Sequence, residues 1–262
     1  MIPTLVFDIE TIPDAQGLRT LLDLPADTSD ENVVNLALHQ RRQQNGTEFL
    51  PLHLHKVCAI SCALRQGDHF SIWTLGDESS SEKEMIQRFY DGIEKYTPQI
   101  ISWNGSGFDL PVLAYRGLIH GVNASRYWDL GEDDKEFKWN NYISRYHMRH
   151  LDLMDVMAKY SGRANAPLDD LAKLCGFPGK LGMDGSKVWD AYKVGKLREI
   201  RDYCETDVAN THLVYLRFQL MRGHLTEKAY QQEVALVRET LEGYQGGHWD
   251  AYLKEWGLAI LK

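Results

Sequence analysis

The sequence predicts an α/β fold, a mixed sheet flanked by helices with a helical addition at its C-terminal end. Three observations carry that prediction. Two strand-like runs lie early, joined by a short glycine-containing connection. Later strand-like runs alternate with helical ones, and beyond residue 188 the pattern is almost entirely helical.

Residues 4–7 form an apolar, β-favouring run that ends in Asp8, which suits a buried strand delivering an acid at its carboxyl end. Residues 14–50 are polar, with a weak helical pattern from Val33 to Gln44 and no second strand. Lys56–Leu64 and His69–Leu75 are strand-like, and Arg65-Gln66-Gly67-Asp68 between them predicts a hairpin. Ser79 to Ser81, followed by Glu82 and Glu84, start a helix that reaches Tyr96, where Thr97-Pro98 stops it. Gln99–Trp103 reads as a strand, followed by Asn104-Gly105-Ser106-Gly107 and a helix from Asp109 to about His120. Residues 121–147 are loop-like and rich in aromatic side chains, and His150–Leu153 is a short strand. A helix over Leu168–Cys175, closed by Gly176, precedes a glycine-rich loop at 179–187 that carries Lys180 and Lys187. Helices are expected at roughly 188–194, 196–222 and 226–242.

The composition bounds the function. The chain has 262 residues, 44% of them hydrophobic and 25% charged, a globular balance. No run approaches the ~20 apolar residues of a membrane span, and Met1 to Phe7 lacks the basic flank of a signal peptide. The expectation is a soluble, cytoplasmic protein with no membrane partner. A net charge of −8 argues against a sequence-independent duplex binder. It leaves open enzymes that engage phosphates through metal ions, because those gather carboxylates where the substrate goes. Cys58, Cys62, Cys175 and Cys204 form no C-x-x-C pair and are expected as free thiols.

Asp8 and Glu10 flank Ile9, so on a strand both carboxylates share a face. Chance alone supplies about one Asp-x-Glu in a chain of this composition, and Asp134-Lys135-Glu136 is a second copy, in a charged run that suits a solvated loop. The first copy differs because an apolar strand leads into it. Asn104-x-x-x-Phe108-Asp109 is expected only about 0.02 times by chance, and it lies at a strand-to-helix turn. Asp109 there also suits a helix N-cap without further role. Tyr203 and Asp207 stand four apart, on one face of a helix.

Taken together, FDIET (7–11), WNGSGFD (103–109) and YCETD (203–207) resemble the three exonuclease motifs of the DEDD superfamily, tyrosine subgroup. The likeness is to the predicted 3′–5′ exonucleases related to the proofreading domain of family-B DNA polymerases. It extends through HLDLMD (150–155), LDDLAKLCGFPGKLGMDGSKVWD (168–190) and IRDYCETDVANTHLVYLRF (200–218), with no departure at the four acids or the tyrosine. The resemblance implies a ribonuclease H-like exonuclease fold with a mixed sheet of five to six strands. It places an exonuclease domain at residues 1–220, interrupted by a polar, partly helical insertion at about 14–50. Residues 221–262 form a helical extension packed on that domain. The likeness is confined to the exonuclease domain, and no polymerase body is expected.

The resemblance further implies catalytic roles for Asp8, Glu10, Asp109, Tyr203 and Asp207. All-oxygen ligation by the four acids favours two Mg²⁺, with Mn²⁺ as a substitute. Asp8 would bridge them, Glu10 and Asp207 would hold one and Asp109 the other, and Tyr203 would orient the attacking water. Phe108 and Asn104 resemble positions that line the terminal nucleotide, with Thr11 and Ile12 beside them, although Phe108 suits core packing equally. From the residues themselves, Lys180 and Lys187 in the glycine-rich loop suit either contact with backbone phosphates or a solvated loop. Arg41-Arg42 and Arg145 to His150 are basic spots that suit either strand guidance or ordinary surface charge. Asp152 and Asp155 suit a structural role rather than further ligation. The expected partner is nucleic acid with a free 3′ end, single-stranded DNA ahead of RNA. An exoribonuclease is the alternative, and a non-catalytic nucleic-acid-binding module is disfavoured because all four acids are present.

Overall fold

A computed structural model describes residues 2–259. In chain order the elements are β1 (Thr4–Pro13), α1 (Ala15–Leu21), α2 (Asp30–Asn45), β2 (His55–Gln66), β3 (His69–Thr74), α3 (Glu82–Tyr96), β4 (Gln99–Ser102), α4 (Asp109–His120), α5 (Ser125–Trp128), β5 (His150–Asp152), α6 (Leu153–Met157), α7 (Leu168–Leu174), α8 (Val188–Lys193), α9 (Leu197–Met221), α10 (Glu227–Glu242) and α11 (Gly247–Ala259). Five strands make one sheet in the order β3-β2-β1-β4-β5. The hairpin β2–β3 and the pair β1–β2 are antiparallel, whereas β4 and β5 add parallel to β1.

The first strand corrects the sequence expectation. It does not stop at Asp8 but continues to Pro13, because β2 pairs with it along its whole length. Its parallel pairing with β4 covers only Thr4 to Val6. Beyond Val6 one edge of the central strand is therefore released, and Asp8 and Glu10 stand just past the carboxyl end of the parallel part. A bulge in β2 opposite Glu10 and Thr11 leaves Cys58 as the extra residue.

Each sheet face buries its own core. Val6, Ala63, Ile101 and Leu151 meet α9 together with Tyr230, Val237, Trp249, Tyr252 and Trp256 of α10 and α11. Leu5, Phe7, Ile9, Ile60 and Ile100 meet α3 and α4, and buried Tyr127, Phe137 and Tyr142 join that side. Because side chains alternate along a strand, Asp8 and Glu10 share the α9 face with Val6. The segment 14–50 holds α1 as well as α2, with a small core of Leu18, Val33, Val34, Leu50 and Leu54. A buried ion cluster ties α3 and α4 to the end of β1. The Arg116 guanidinium donates to Glu82 and to Asp14, and Glu82 Oε1 also accepts the Val57 amide at 2.7 Å. Among the described residues no helix is long and apolar enough to cross a membrane. The four cysteines are free thiols.

Candidate active site

Asp8 and Glu10 come from the released stretch of β1, and an oxygen of each lies within 4.8 Å of the other and of Cys204 Sγ. Cys204, on α9, forms the floor beneath them; its thiol lies 3.4 Å from the Asp8 carbonyl and 3.6 Å from Asp8 Oδ2. Burial, then the neighbouring acids, push that thiol well above its ordinary pKa, so it stays protonated.

Asp109 is the first residue of α4, but it does not cap that helix. Its Oδ1 instead accepts the backbone N–H of Ile9 at 3.1 Å, which fixes the carboxylate between the two acids of β1. The turn that delivers it is built for this purpose. Asn104 takes a left-handed backbone (φ 65°), which asparagine tolerates better than most residues. Its carbonyl accepts the amides of Gly107 and Phe108 at 3.0 Å each. A Cβ at Gly105 would run into the Cβ of Ser102, so that position needs glycine, and one at Gly107 would displace the Asn104 side-chain amide. From the edge strand, buried Asp152 accepts the N–H of Asn104 at 3.0 Å and of Ser106 at 2.8 Å. Asp152 thus supports the turn structurally.

Asp207 and Tyr203 project from α9 one helical turn apart, toward the same acids. Lys180 lies between them: its Nζ donates to the Tyr203 hydroxyl and sits 3.2 Å from Asp207 Oδ2. Its ammonium therefore faces the carboxylates rather than an outlying phosphate track. The loop that carries Lys180 is clamped by buried Asn210, which accepts the Gly179 amide at 3.2 Å and donates to its carbonyl at 2.9 Å. Lys187 is exposed and pairs with Asp184 at 3.0 Å, away from this constellation.

Electrostatics mark the cluster as short of positive charge. Burial raises Asp8 well above the carboxylate range, and Asp109, Glu10 and Asp207 add to the rise. Glu10 is raised by burial and by Asp207, and Asp207 by burial against the pull of Lys180. Burial lifts Asp109 to about 7 although the Ile9 amide opposes it. Burial also works against charge on Lys180, yet Asp207 and Asp8 hold its pKa above the ordinary value. One ammonium against four carboxylates leaves a deficit, and Asp207 Oδ1 is buried with no hydrogen-bond partner. Oxygen donors in that state fit hard divalent cations.

The remaining sequence candidates divide. Phe108 and Asn104 are half-buried beside Asp109. Ile12 is a correction at the side chain, which is buried in a core of Ala59, Val188, Ile200 and Cys204 and is not presented to a ligand. The Thr11 hydroxyl is 3.0 Å from His55 Nδ1, and His55 Nε2 is 3.2 Å from the Leu50 carbonyl. A carbonyl only accepts, so Nε2 carries the proton and Nδ1 receives the Thr11 O–H; burial lowers the pKa of His55 and keeps it neutral. This link seats Phe49, whose exposed ring lies 5.1 Å from His55 and 5.9 Å from Phe108, with His55 edge-on to Phe108 at 5.2 Å. Sequence reasoning missed Phe49 and His55. The one available signal was an aromatic residue standing alone at the end of a polar segment.

A five-stranded sheet in this order, with helices on both faces, is the ribonuclease H-like fold of the exonuclease domains of family B DNA polymerases. Over residues 47–256 the chain matches the family described as predicted 3′–5′ exonucleases related to the exonuclease domain of PolB, and it belongs to that family. The match begins after β1, so Asp8 and Glu10 lie outside it. The family B DNA polymerase from the hyperthermophilic archaeon Pyrobaculum calidifontis is similar in fold, with a TM-score of 0.51 and 18% identity. That likeness covers 84% of this chain and 25% of the polymerase. No curated protein matches the chain.

Proposed function

We propose that this chain is a divalent-cation-dependent 3′–5′ exonuclease that removes nucleoside 5′-monophosphates from a strand with a free 3′ end, single-stranded DNA being the favoured substrate. One observation carries the reading: carboxylates from three segments far apart in sequence meet at Tyr203 with Lys180 as their one basic partner among the described residues.

Asp8, Glu10, Asp109 and Asp207 are the residues that would hold two Mg²⁺, or Mn²⁺ in their place. Such a pair supplies Lewis-acid charge at the attacking and leaving oxygens of an in-line displacement at phosphorus. Tyr203 is held by Lys180 and kept protonated by burial and by the surrounding acids, so it acts as a hydrogen-bond donor that orients the attacking water rather than as a base. The water oxygen bonds to phosphorus as the bond to the 3′-oxygen breaks, and the electron pair leaves on that oxygen. The water gives up one proton to solvent, and the departing 3′-oxygen takes one up from solvent. Phe108 and Asn104 contact the terminal nucleotide, and Phe49 closes the base site from the insertion. Ring stacking tolerates every base, as non-specific trimming requires. Cytoplasmic residence belongs to the same proposal, as does a division into a 1–220 catalytic domain and a 221–262 extension.

The test compares 5′-labelled DNA and RNA strands incubated with Mg²⁺, with EDTA, and with the Asp109→Ala variant. A ladder shortening from the 3′ end, abolished by EDTA and by the substitution, is the expected result, stronger on DNA. Internal fragments, or activity indifferent to both treatments, would overturn it.

A further inference from the structure

We propose that Arg145, Tyr146 and Tyr160 form a shelf for the single strand upstream of its 3′ end, holding nucleotides by ring stacking and phosphate contact. This rests on the exonuclease reading above and extends it to a second stretch of the same substrate.

Residues 138–163 carry five Lys and Arg against two Asp, in a chain whose net charge is −8. Arg149 is buried over the Phe137 ring and serves the core, but Arg145, Lys159 and Arg163 are exposed. Beside them Tyr146 is 76% exposed and Tyr160 42%. The two rings lie 5.8 Å apart and nearly edge to face. The Arg145 guanidinium stands 4.7 Å from the Tyr160 ring centre and pairs with Asp155 at 3.2 Å. A lone exposed aromatic needs no explanation. Two adjacent exposed rings, one of them under a guanidinium, do, because neither joins a hydrophobic core.

The backbone supports the same conclusion. Lys159 and Tyr160 are consecutive left-handed residues (φ 53° and 58°), a conformation non-glycine residues adopt at a cost. That kink sets Tyr160 beside Arg145, whose carbonyl accepts the Tyr160 hydroxyl at 3.3 Å.

The shelf adjoins the turn that carries Asp109. Arg145, Tyr146 and Tyr160 line one groove with Asp152, Asp155 and Ser106. Ser106 belongs to the turn that presents Phe108 and Asp109, and Asp152 holds that turn from below. The groove thus opens beside the carboxyl ends of β4 and β5, where parallel sheets place ligands. Exposed rings next to cationic groups are the chemistry of single-strand binding, since each base offers a π-face and each linkage a negative charge. An acidic peptide offers the charge without the faces, and a duplex keeps its bases stacked inside.

The test is steady-state kinetics on a trinucleotide and on a strand about 20 nucleotides long, as DNA and as RNA, with the double variant Tyr146→Ala/Tyr160→Ala. KM for the long strand is expected to rise about 30-fold, the lower end for two lost stacking contacts at about 1 kcal/mol each, with kcat and the trinucleotide kinetics unchanged. The Tyr146→Phe/Tyr160→Phe pair keeps both rings and is expected to behave as wild type. An unaltered KM on the long strand, or an equal rise on both lengths, would overturn the shelf while leaving the exonuclease reading intact. A wild-type chain that trims neither substrate would instead remove that reading.

Discussion

At the scale of single residues, Tyr203 is set apart from the acids around it. Its ring lies under the Lys180 ammonium at 5.1 Å, and its hydroxyl accepts from the same group. Burial, reinforced by Asp207, Glu10 and Asp8, keeps the phenol protonated at any working pH. Tyr203→Phe is therefore expected to lower kcat about tenfold, the scale of one lost hydrogen bond of about 1.4 kcal/mol, with KM within about twofold. Single-turnover release of a labelled nucleotide measures this, and unaltered turnover would remove the tyrosine from the mechanism. The acids and the tyrosine were legible as a set: Asp-x-Glu and Tyr-x-x-x-Asp each occur about once by chance, but with Asn104-x-x-x-Phe108-Asp109 they resemble the three motifs of one family. Phe49 and His55 obey no period. Their partners are Phe108 and Thr11, and the Thr11–His55 link spans 44 residues, which no local pattern encodes. Ile12 misled for the opposite reason, since adjacency to the first motif says nothing about which side of a bulged strand is buried.

At the scale of elements, β2 to β5 and the helices α3, α4, α9 and α10 were legible to within a residue or two, whereas α2 starts three residues before Val33 and α11 was read only as part of a helical extension. The failures have physical causes. Glu10 and Thr11 break the apolar run, so the second half of β1 lacks a strand signature; its extension comes from the long partner β2. The seven residues of α1 are too few to show a helical period, although Asp14 caps the helix by accepting the Gly17 amide at 3.0 Å. In α11, Trp249, Tyr252 and Trp256 form one buried stripe, with spacings of three and four. The Tyr252 hydroxyl donates to Asn210 Oδ1 at 2.8 Å, so this helix supports the clamp behind Lys180. On the opposite sheet face Arg116 joins α4, α3 and the end of β1 while 3% exposed. Arg116→Ala would strand two buried carboxylates and is expected to cost about 3–5 kcal/mol of stability, read by denaturant unfolding. A loss below about 1 kcal/mol would mean water replaces the guanidinium, as at a surface pair.

At the scale of the whole molecule, part of the acidic balance that argues against a duplex binder is buried in one place, where four carboxylates share one ammonium. The free energy of folding should report that concentration. Asp109 has its pKa raised to about 7 in the folded state, against roughly 4 when unfolded. Between those values the folded protein binds more protons than the unfolded chain, so stability falls as pH rises. The contribution is fully present below about pH 4 and is lost as pH passes through about 7. A divalent cation that binds only the ionised, folded cluster restores the loss. The decisive measurement is the melting temperature of wild type and of Asp109→Asn from acid to about pH 8, with and without Mn²⁺. Without the cation, wild type is expected to lose stability relative to the variant as pH rises through 7. With Mn²⁺ near pH 8, wild type should recover by several degrees and the variant much less. A wild-type melting temperature indifferent to Mn²⁺ at that pH, or an equal rise in both proteins, would contradict a metal site built from these four acids.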